Sequence, residues 1–316
     1  MTGSTVVGFA DAVLDALPDA MAVIDGSGAI VAVNRAWRMF AVDNGGRPEA
    51  TGVGVNYLQL CERSAAAGCA DAVVVADGIR TVLEGQTHHV ELEYPCPSPA
   101  VSRWFLLRIA PLAAPAHGAV ISHVNITRRK QAERELAHEA AHDPLTAVAN
   151  RTLFTAKLTN ALNPPKGRTA RGGVGVLYLD LDCFKPVNDT FGHDAGDEVL
   201  LTTADRLRKL VRPQDTVARL GGDEFAVVAP RITAAGLEAL AARITAALQE
   251  PHLVHGQHVQ VPASVGAYLA VPGEAPATAM RRADRAMYAV KRSRRTSRDR
   301  SGQSSSHPLE PVAVVA

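Results

Sequence analysis

Thr216-Val217-Ala218-Arg219-Leu220-Gly221-Gly222-Asp223-Glu224-Phe225-Ala226-Val227-Val228 is the stretch that decides how the second half of this chain folds. Two strand-like runs flank a pair of glycines. Tight two-residue turns need positive φ, which glycine adopts without a Cβ clash. The stretch therefore predicts a β-hairpin with Gly221-Gly222 as its loop and Asp223 and Glu224 at its tip. Upstream, Val176-Leu177-Tyr178-Leu179 is a near-continuous apolar run, as in a buried central strand, and it ends in Asp180-Leu181-Asp182. Carboxylates at the end of a buried strand are costly unless paired or bound to a cation. A hard cation such as Mg²⁺ (or Mn²⁺) takes a few carboxylates plus substrate phosphates. Asp180 and Asp223 are the candidates to hold one from neighbouring strands.

Working outward, Glu198 to Val211 carries a helical face of Val199, Leu200, Ala204, Leu207 and Val211. Leu237, Leu240, Ala241, Ile244 and Leu248 form a second. Gly175–Leu181, Thr216–Leu220, Phe225–Val228 and Val259–Tyr268 read as strands. This alternation over residues 142–296 predicts a sheet with helices packed on its faces. Residues 8–127 read differently. Ala22-Val23-Ile24-Asp25 and Ala29-Ile30-Val31-Ala32-Val33 flank a glycine turn, and Asn34 opens a helical stretch with Trp37 and Phe40. Three further strands are expected at Val90–Tyr94, Trp104–Ile109 and Ala119–Val124, giving a small α+β domain. Between the two, residues 128–141 form a charged linker helix with an apolar stripe of Ala132, Leu136 and Ala140. Such a short helix is marginal alone, so pairing with a second copy competes with a plain solvated linker. The tail, residues 297–316, is rich in Ser, Arg and Pro and is expected to be disordered.

Composition bounds the function classes. A net charge of +1 gives no basic face for nucleic acid. No stretch approaches the ~20 apolar residues of a membrane span, and Met1–Thr5 does not open a secretory signal. The four cysteines, Cys61, Cys69, Cys96 and Cys183, form no Cys-x-x-Cys pair. The expectation is a cytoplasmic protein in a reducing compartment.

Asp180-Leu181-Asp182-Cys183-Phe184-Lys185, Asn188-Asp189, Gly192-His193 and Gly196-Asp197 together resemble the pattern DxDxFKxxNDxxGHxxGD of the GGDEF diguanylate cyclases. Arg219 to Phe225 resembles the signature that names this family. His142-Asp143-Pro144-Leu145-Thr146 with Asn150-Arg151 resembles its opening motif. Ser264-Val265-Gly266 and Ala283-Asp284-Arg285-Ala286-Met287-Tyr288-Ala289-Val290-Lys291 resemble its closing ones. The resemblance implies a palm-like sheet related to nucleotidyl cyclases, and a homodimer in which two GTP condense to cyclic di-GMP and release two pyrophosphates. It implies metal binding by Asp180, Asp223 and the Leu181 carbonyl, and places Asp223, Glu224 and Lys185 among the catalytic residues.

The resemblance also implies that Asn188 and Asp197 read guanine. One carboxylate can accept from guanine N1–H and the exocyclic amine together, whereas adenine N1 would face it with a lone pair. The competing reading of Asp197 is a helix N-cap or first-turn acid before Glu198. Backbone N–H groups near Phe184 and Lys185 are expected at phosphate, if a helix begins there. Lys291 and Arg295 match basic positions that hold the triphosphate. Here the chain departs from the family: Arg294 replaces a glycine and Thr296 an asparagine, so Arg292 or Arg294 could share that role, or the segment is a solvated helix end. Ala147 replaces a glycine in the opening motif, which is expected to be harmless. Arg212-Pro213-Gln214-Asp215 has the form RxxD, where many members bind product; Arg243 is a third candidate there. At ~3.3 Å per residue it lies roughly 20 Å from the turn.

Residues 8–127 resemble a PAS sensor, on Leu17-Pro18-Asp19-Ala20, Asn34 with Trp37, and the ending Asn125-Ile126-Thr127-Arg128-Arg129-Lys130. Its ligand is not named by the sequence. His123 is a possible haem ligand, against the simpler reading of a structural histidine. The sequence thus predicts a PAS-regulated diguanylate cyclase, with a catalytically silent GTP or cyclic di-GMP receptor as the alternative.

Overall fold

The structure, a computed structural model, describes residues 3–43, 47–97, 102–113, 116–164, 172–300 and 314–315. The chain divides into two compact units, with the boundary after Arg134.

The first unit contains α1 (Gly3–Ala16), β1 (Ala20–Asp25), β2 (Ile30–Val33), α2 (Arg35–Asp43), α3 (Tyr57–Ala66), α4 (Ala70–Leu83), β3 (Val90–Pro97), β4 (Ser102–Pro111) and β5 (Gly118–Asn125). The five strands form one antiparallel sheet in the order β2-β1-β5-β4-β3. Burial alternates along β1 and β5, so one face of the sheet is covered. Ile24, Ile30, Leu107, Ile109 and Ile121 from that face pack with Trp37 and with Val75, Ile79 and Val82 of α4. The expected β1–β2 turn is held by Asp25, whose carboxylate accepts from the N–H groups of Ser27 and Ala29. Asn34 is fully buried and fully satisfied. Its Oδ1 accepts from the N–H groups of Met21 and Trp37, and its Nδ2 donates to the carbonyls of Leu14, Leu17 and Asp19. This one side chain ties α1, β1 and α2 together. The unit is the PAS fold expected from the sequence.

α5 (Thr127–Ala141) follows β5 directly. Lys130 and Arg129 pair with Glu93, and both Lys130 and Arg134 lie over the Trp104 ring, which fixes the start of the helix. No residue of α5 is buried, and Leu136 in its expected apolar stripe is 65% exposed.

The second unit contains α6 (Arg151–Leu162), β6 (Gly173–Leu181), α7 (Phe184–Phe191), α8 (His193–Leu210), β7 (Thr216–Gly221), β8 (Glu224–Ile232), α9 (Ala234–Leu248), β9 (His252–Val254), β10 (Gln257–Val259), β11 (Ala263–Ala270), α10 (Pro276–Arg300) and β12 (Val314–Val315). Its main sheet has the order β12-β11-β6-β8-β7 and is antiparallel except at β12. β6 is buried on both faces, which is why its sequence reads as an unbroken apolar run. Leu177, Leu179 and Phe225 face α8 and α9, while Val176, Tyr178 and Val228 face α6 and α10. The run expected as one strand from Val259 to Tyr268 is two strands broken around Pro262. α10 can lie against β11 because Gly266 has no side chain: a Cβ there would sit 2.0 Å from the Met287 nitrogen. This helix runs to Arg300, past the domain end expected at 296. The tail beyond it lies outside the described residues, apart from Val314–Val315. No helix among the described residues is long and apolar enough to cross a membrane.

Candidate active site

The site gathers where β6 ends and β8 begins. Asp180 on β6 lies directly opposite Glu224 on β8 and Ser264 on β11. The hairpin expected from Gly-Gly is present, but shifted by one residue. Gly221 pairs with Glu224, so Gly222 and Asp223 form the loop and Glu224 begins β8. Gly221 (φ 147°) and Gly222 (φ 51°) supply the positive φ that the turn needs. The Leu181 N–H lies 3.3 Å from the Asp223 carbonyl, which ties the loop to the end of β6.

The hairpin is buttressed by the opening motif. Arg219 donates through Nη1 to both oxygens of Asp143, at 3.2 and 3.3 Å, and through Nε to the Gly222 carbonyl at 2.9 Å. Asp143 also accepts from the Thr146 N–H and hydroxyl. Burial pushes the Asp143 carboxyl up, but the Thr146 and Arg219 contacts outweigh it and hold the group below its ordinary value. Ala147, in the same turn, has φ 53°. The expectation that it is a harmless replacement is therefore corrected, because alanine carries a steric cost in this region that glycine does not.

The electrostatics are those of crowded acids. Burial raises the Asp223 carboxyl above its ordinary value, and the charge of Asp180 raises it further. Lys291, on α10, donates to Asp180 Oδ1. Lys291 was expected at a triphosphate; in this structure it answers a carboxylate. Arg294 pairs with Asp182 and lies beside the Ala263 carbonyl, so the reading of this segment as a purely solvated helix end does not hold. The Arg295 side chain lies outside the described residues. Glu224 sits between two groups that sequence reasoning missed. Arg151 Nη2 is 3.7 Å from its Oε2, and the Tyr178 phenol lies beside its carboxylate. Burial and that carboxylate push the Tyr178 phenol up to about 12. Strand alternation was the available signal, since Tyr178 lies two residues before Asp180 on the same face.

Asp180, Asp223 and the Leu181 backbone suit a hard dication. They offer two carboxylates whose repulsion a cation would relieve, and no larger donor set. Among the described residues no group of three or more His, Cys, Asp or Glu side chains converges to hold an ion, so phosphate or water oxygens would complete the sphere.

Beyond the acids, Cys183 adopts a left-handed conformation (φ 64°) and α7 begins at Phe184 as expected, with Pro186 in its first turn. Lys185 is exposed there. Asn188, on α7, lies against Gly196 of α8, and its Oδ1 is buried with no hydrogen-bond partner. α8 begins at His193 rather than Glu198. Asp197 therefore falls in its second turn and is exposed, which removes the reading of Asp197 as an N-cap. In the RxxD turn, the Asp215 carboxylate accepts from the Arg212 N–H at 2.9 Å. Arg243 donates to the Leu210 carbonyl at 2.6 Å, two residues before Arg212.

In the first unit His123 is buried. Its Nδ1 is 2.6 Å from the Tyr94 hydroxyl, its Nε2 is 3.5 Å from that of Tyr57, and its ring stacks on Phe40. Both ring nitrogens face phenols, a setting that suits the structural reading of this histidine.

A glycine hairpin that sets acids beside a buried acidic strand end, following an N-terminal sensor fold, is the arrangement of a GGDEF-type signalling protein. The family profile described as "Diguanylate cyclase, GGDEF domain" matches residues 140–297, and one described as "PAS fold" matches residues 14–135. The chain belongs to the GGDEF-domain diguanylate cyclase family and carries an N-terminal PAS domain. The diguanylate cyclase TpbB of Pseudomonas aeruginosa is 41% identical over 174 residues, which are 54% of this chain and 40% of TpbB. An uncharacterised 19.3 kDa protein of Streptomyces ambofaciens is 43% identical over 170 residues, 52% of this chain and 86% of that protein. The crystal structure of the TpbB GGDEF domain is 41% identical, covers 47% of this chain and 92% of that one, and has a TM-score of 0.44. The chain thus matches less than half the length of TpbB.

Proposed function

We propose that this protein is a diguanylate cyclase that condenses two GTP into cyclic di-GMP with release of two pyrophosphates. The observation that carries this reading is the set of three acids around the hairpin: Asp180 and Glu224 directly opposite each other on β6 and β8, with Asp223 in the β7–β8 loop. In each half-reaction a ribose 3′-oxygen attacks the α-phosphate of the other GTP. The new P–O3′ bond forms as the bond to the pyrophosphate breaks, and the hydroxyl proton is lost. When bound, Mg²⁺ or Mn²⁺ supplies electrostatic relief for the triphosphate and the leaving pyrophosphate.

Asp180, Asp223 and the Leu181 carbonyl would hold that ion. Glu224, beside Tyr178 and Arg151, is the acceptor for the proton. The first-turn N–H groups of α7, at Phe184 and Lys185, meet phosphate together with the Lys185, Lys291 and Arg295 side chains. Asn188 and Asp197 read guanine, and the unpartnered Asn188 Oδ1 is the atom that supports this. Each copy presents one GTP, so the active form is a homodimer. The PAS domain sets the approach of the two catalytic domains through α5, in the cytoplasm. Product binds at Arg212, Asp215 and Arg243 and inhibits away from the active site.

The test is incubation of the full chain with GTP and Mg²⁺, with Asp223→Ala in parallel. Cyclic di-GMP from the parent and none from the variant is expected. No product from the parent, after bound nucleotide has been stripped, rejects the cyclase in favour of a silent receptor.

A further inference from the structure

β6 ends in two acids, and the two are answered differently. Asp182 is buried, with its side chain 11% exposed. The Ser264 hydroxyl, itself fully buried, lies 3.0 Å from both of its oxygens. One hydroxyl has a single proton to give, so the carboxylate charge still needs a cation. Arg294 provides it. Its Nη1 is 3.2 Å from Asp182 Oδ2 and 2.6 Å from the Ala263 carbonyl, so one guanidinium binds α10 to the ends of both β6 and β11. One turn earlier on the same helix, Lys291 donates to Asp180. Residues i and i+3 share a helix face, and i and i+2 share a strand face. The result is a ladder of two rungs, Lys291 on Asp180 and Arg294 on Asp182.

The rungs are not equivalent under the cyclase reading, on which this inference rests. Asp180 is a metal carboxylate, so Lys291 must leave it when a dication binds. Asp182 turns inward to Ser264, and its pairing with Arg294 competes with nothing that binds. We propose that Arg294 is a positioning residue. It keeps the C-terminal turns of α10 against the acidic strand ends, so that Lys291, on leaving Asp180, is delivered to the triphosphate of bound GTP. The segment thereby gains an anchor at the position where the motif it resembles has a glycine.

The experiment uses the full chain and a GTP analogue with a methylene in place of the α,β-bridging oxygen, so that no pyrophosphate can leave. Binding is read by calorimetry with Mg²⁺. Arg294→Gln is expected to weaken binding about five- to ten-fold, the scale of one charge-assisted contact, and Arg294→Lys to lose less. In a Lys291→Met background the same Arg294→Gln change is expected to shift Kd by less than about two-fold, because no amine remains to be delivered. Arg294→Gln leaves a buried charge alone and can lower stability, so Asp182→Asn/Arg294→Gln, which orphans no charge, repeats the comparison. Parent-like binding by both Arg294→Gln and the double variant overturns the proposal. So does an equal loss with and without Lys291, which would make Arg294 a direct contact or a remote effect. Failure of the parent to bind the analogue sinks the cyclase reading and this inference together, whereas parental binding with unaltered variants sinks only the inference.

Discussion

Gly196→Ala separates nucleotide recognition from folding at a single methyl group. A Cβ at Gly196 would lie 1.9 Å from Asn188 Oδ1, 2.9 Å from its Cγ and 3.1 Å from Phe184 Cζ. These distances are far inside contact, so Asn188 must rotate away. Rotation costs the fold little. The Asn188 Oδ1 has no partner to lose, and the backbone at Gly196 is ordinary helix, where alanine is favoured over glycine by up to about 1 kcal/mol. The melting temperature should therefore change by no more than a few degrees in either direction. The cost falls on the ligand. If Asn188 reads guanine, losing its hydrogen bond in a desolvated site removes about 1–2 kcal/mol, or roughly 5- to 30-fold in affinity. Calorimetric titration with a non-reacting GTP analogue, beside a thermal melt, measures both terms. An unchanged Kd with an unchanged melt would show that Asn188, between α7 and α8, does not receive the base.

Gly266→Ala is the contrasting case, because its Cβ would meet backbone rather than a side-chain tip, 2.0 Å from the Met287 nitrogen and 2.5 Å from the Ala283 carbonyl. It should cost more than about 3 kcal/mol, read as a collapse of the catalytic unit's melting transition. Arg219→Ala breaks a pair whose side chains are 15% and 16% exposed; a loss of about 2–3 kcal/mol is expected, with activity falling further than stability because the Gly222 carbonyl is also released. Burial pushes the His123 imidazole down from the ordinary 6.5 to about 4. Its contribution is therefore fully present above pH 6.5 and is lost as pH falls toward 4, in total about 3 kcal/mol. The PAS transition should follow that slope, and a melt flat from pH 7 to 4.5 would contradict it. Arg212→Ala should leave initial turnover intact while abolishing noncompetitive inhibition by product; unchanged inhibition rejects the RxxD site.

Much of this fold was legible because burial writes itself into period. β6 is covered on both faces and reads as an apolar run, whereas β1 and β5 are covered on one and alternate. The misplacements have local causes. Gly192, at φ 88°, ends α7 and opens α8 without a spacer, so the second helix starts five residues before the expected start at Glu198. Gly-Gly marked the hairpin but not its register, since Gly221 still pairs and the loop passes to Gly222 and Asp223. Asp143 with Arg219, Asp182 with Arg294 and Asn188 against Gly196 join residues by tertiary packing, the first two across 76 and 112 positions. No period records such contacts. Motif order marked Asp180, Asp223 and Glu224, which meet at one turn, but not that Lys291 would face a carboxylate.

One continuous set of bonds links the end of α5 to the catalytic turn within the second unit. The Asn150 N–H donates to the Ala141 carbonyl, and its Nδ2 donates to that of Ala140, while its Oδ1 caps α6 at the Leu153 N–H. Ala149 bridges to β7: its N–H meets the Val217 carbonyl, and its carbonyl accepts from the Arg219 N–H. Arg219 then reaches Asp143 and the Gly222 carbonyl. A rotation of α5 would therefore strain the cap of α6 and the bridge to β7 before it altered any acid directly. Coupling through such a chain requires two arrangements of which one is favoured by the signal. The exposed stripe of α5 supplies a physical basis for them, because Leu136 gains burial only by meeting another surface. A sensor that changes how two α5 helices meet would thus act on the hairpin through backbone and side-chain bonds, leaving Lys291 free to respond to nucleotide while Arg294 stays on Asp182.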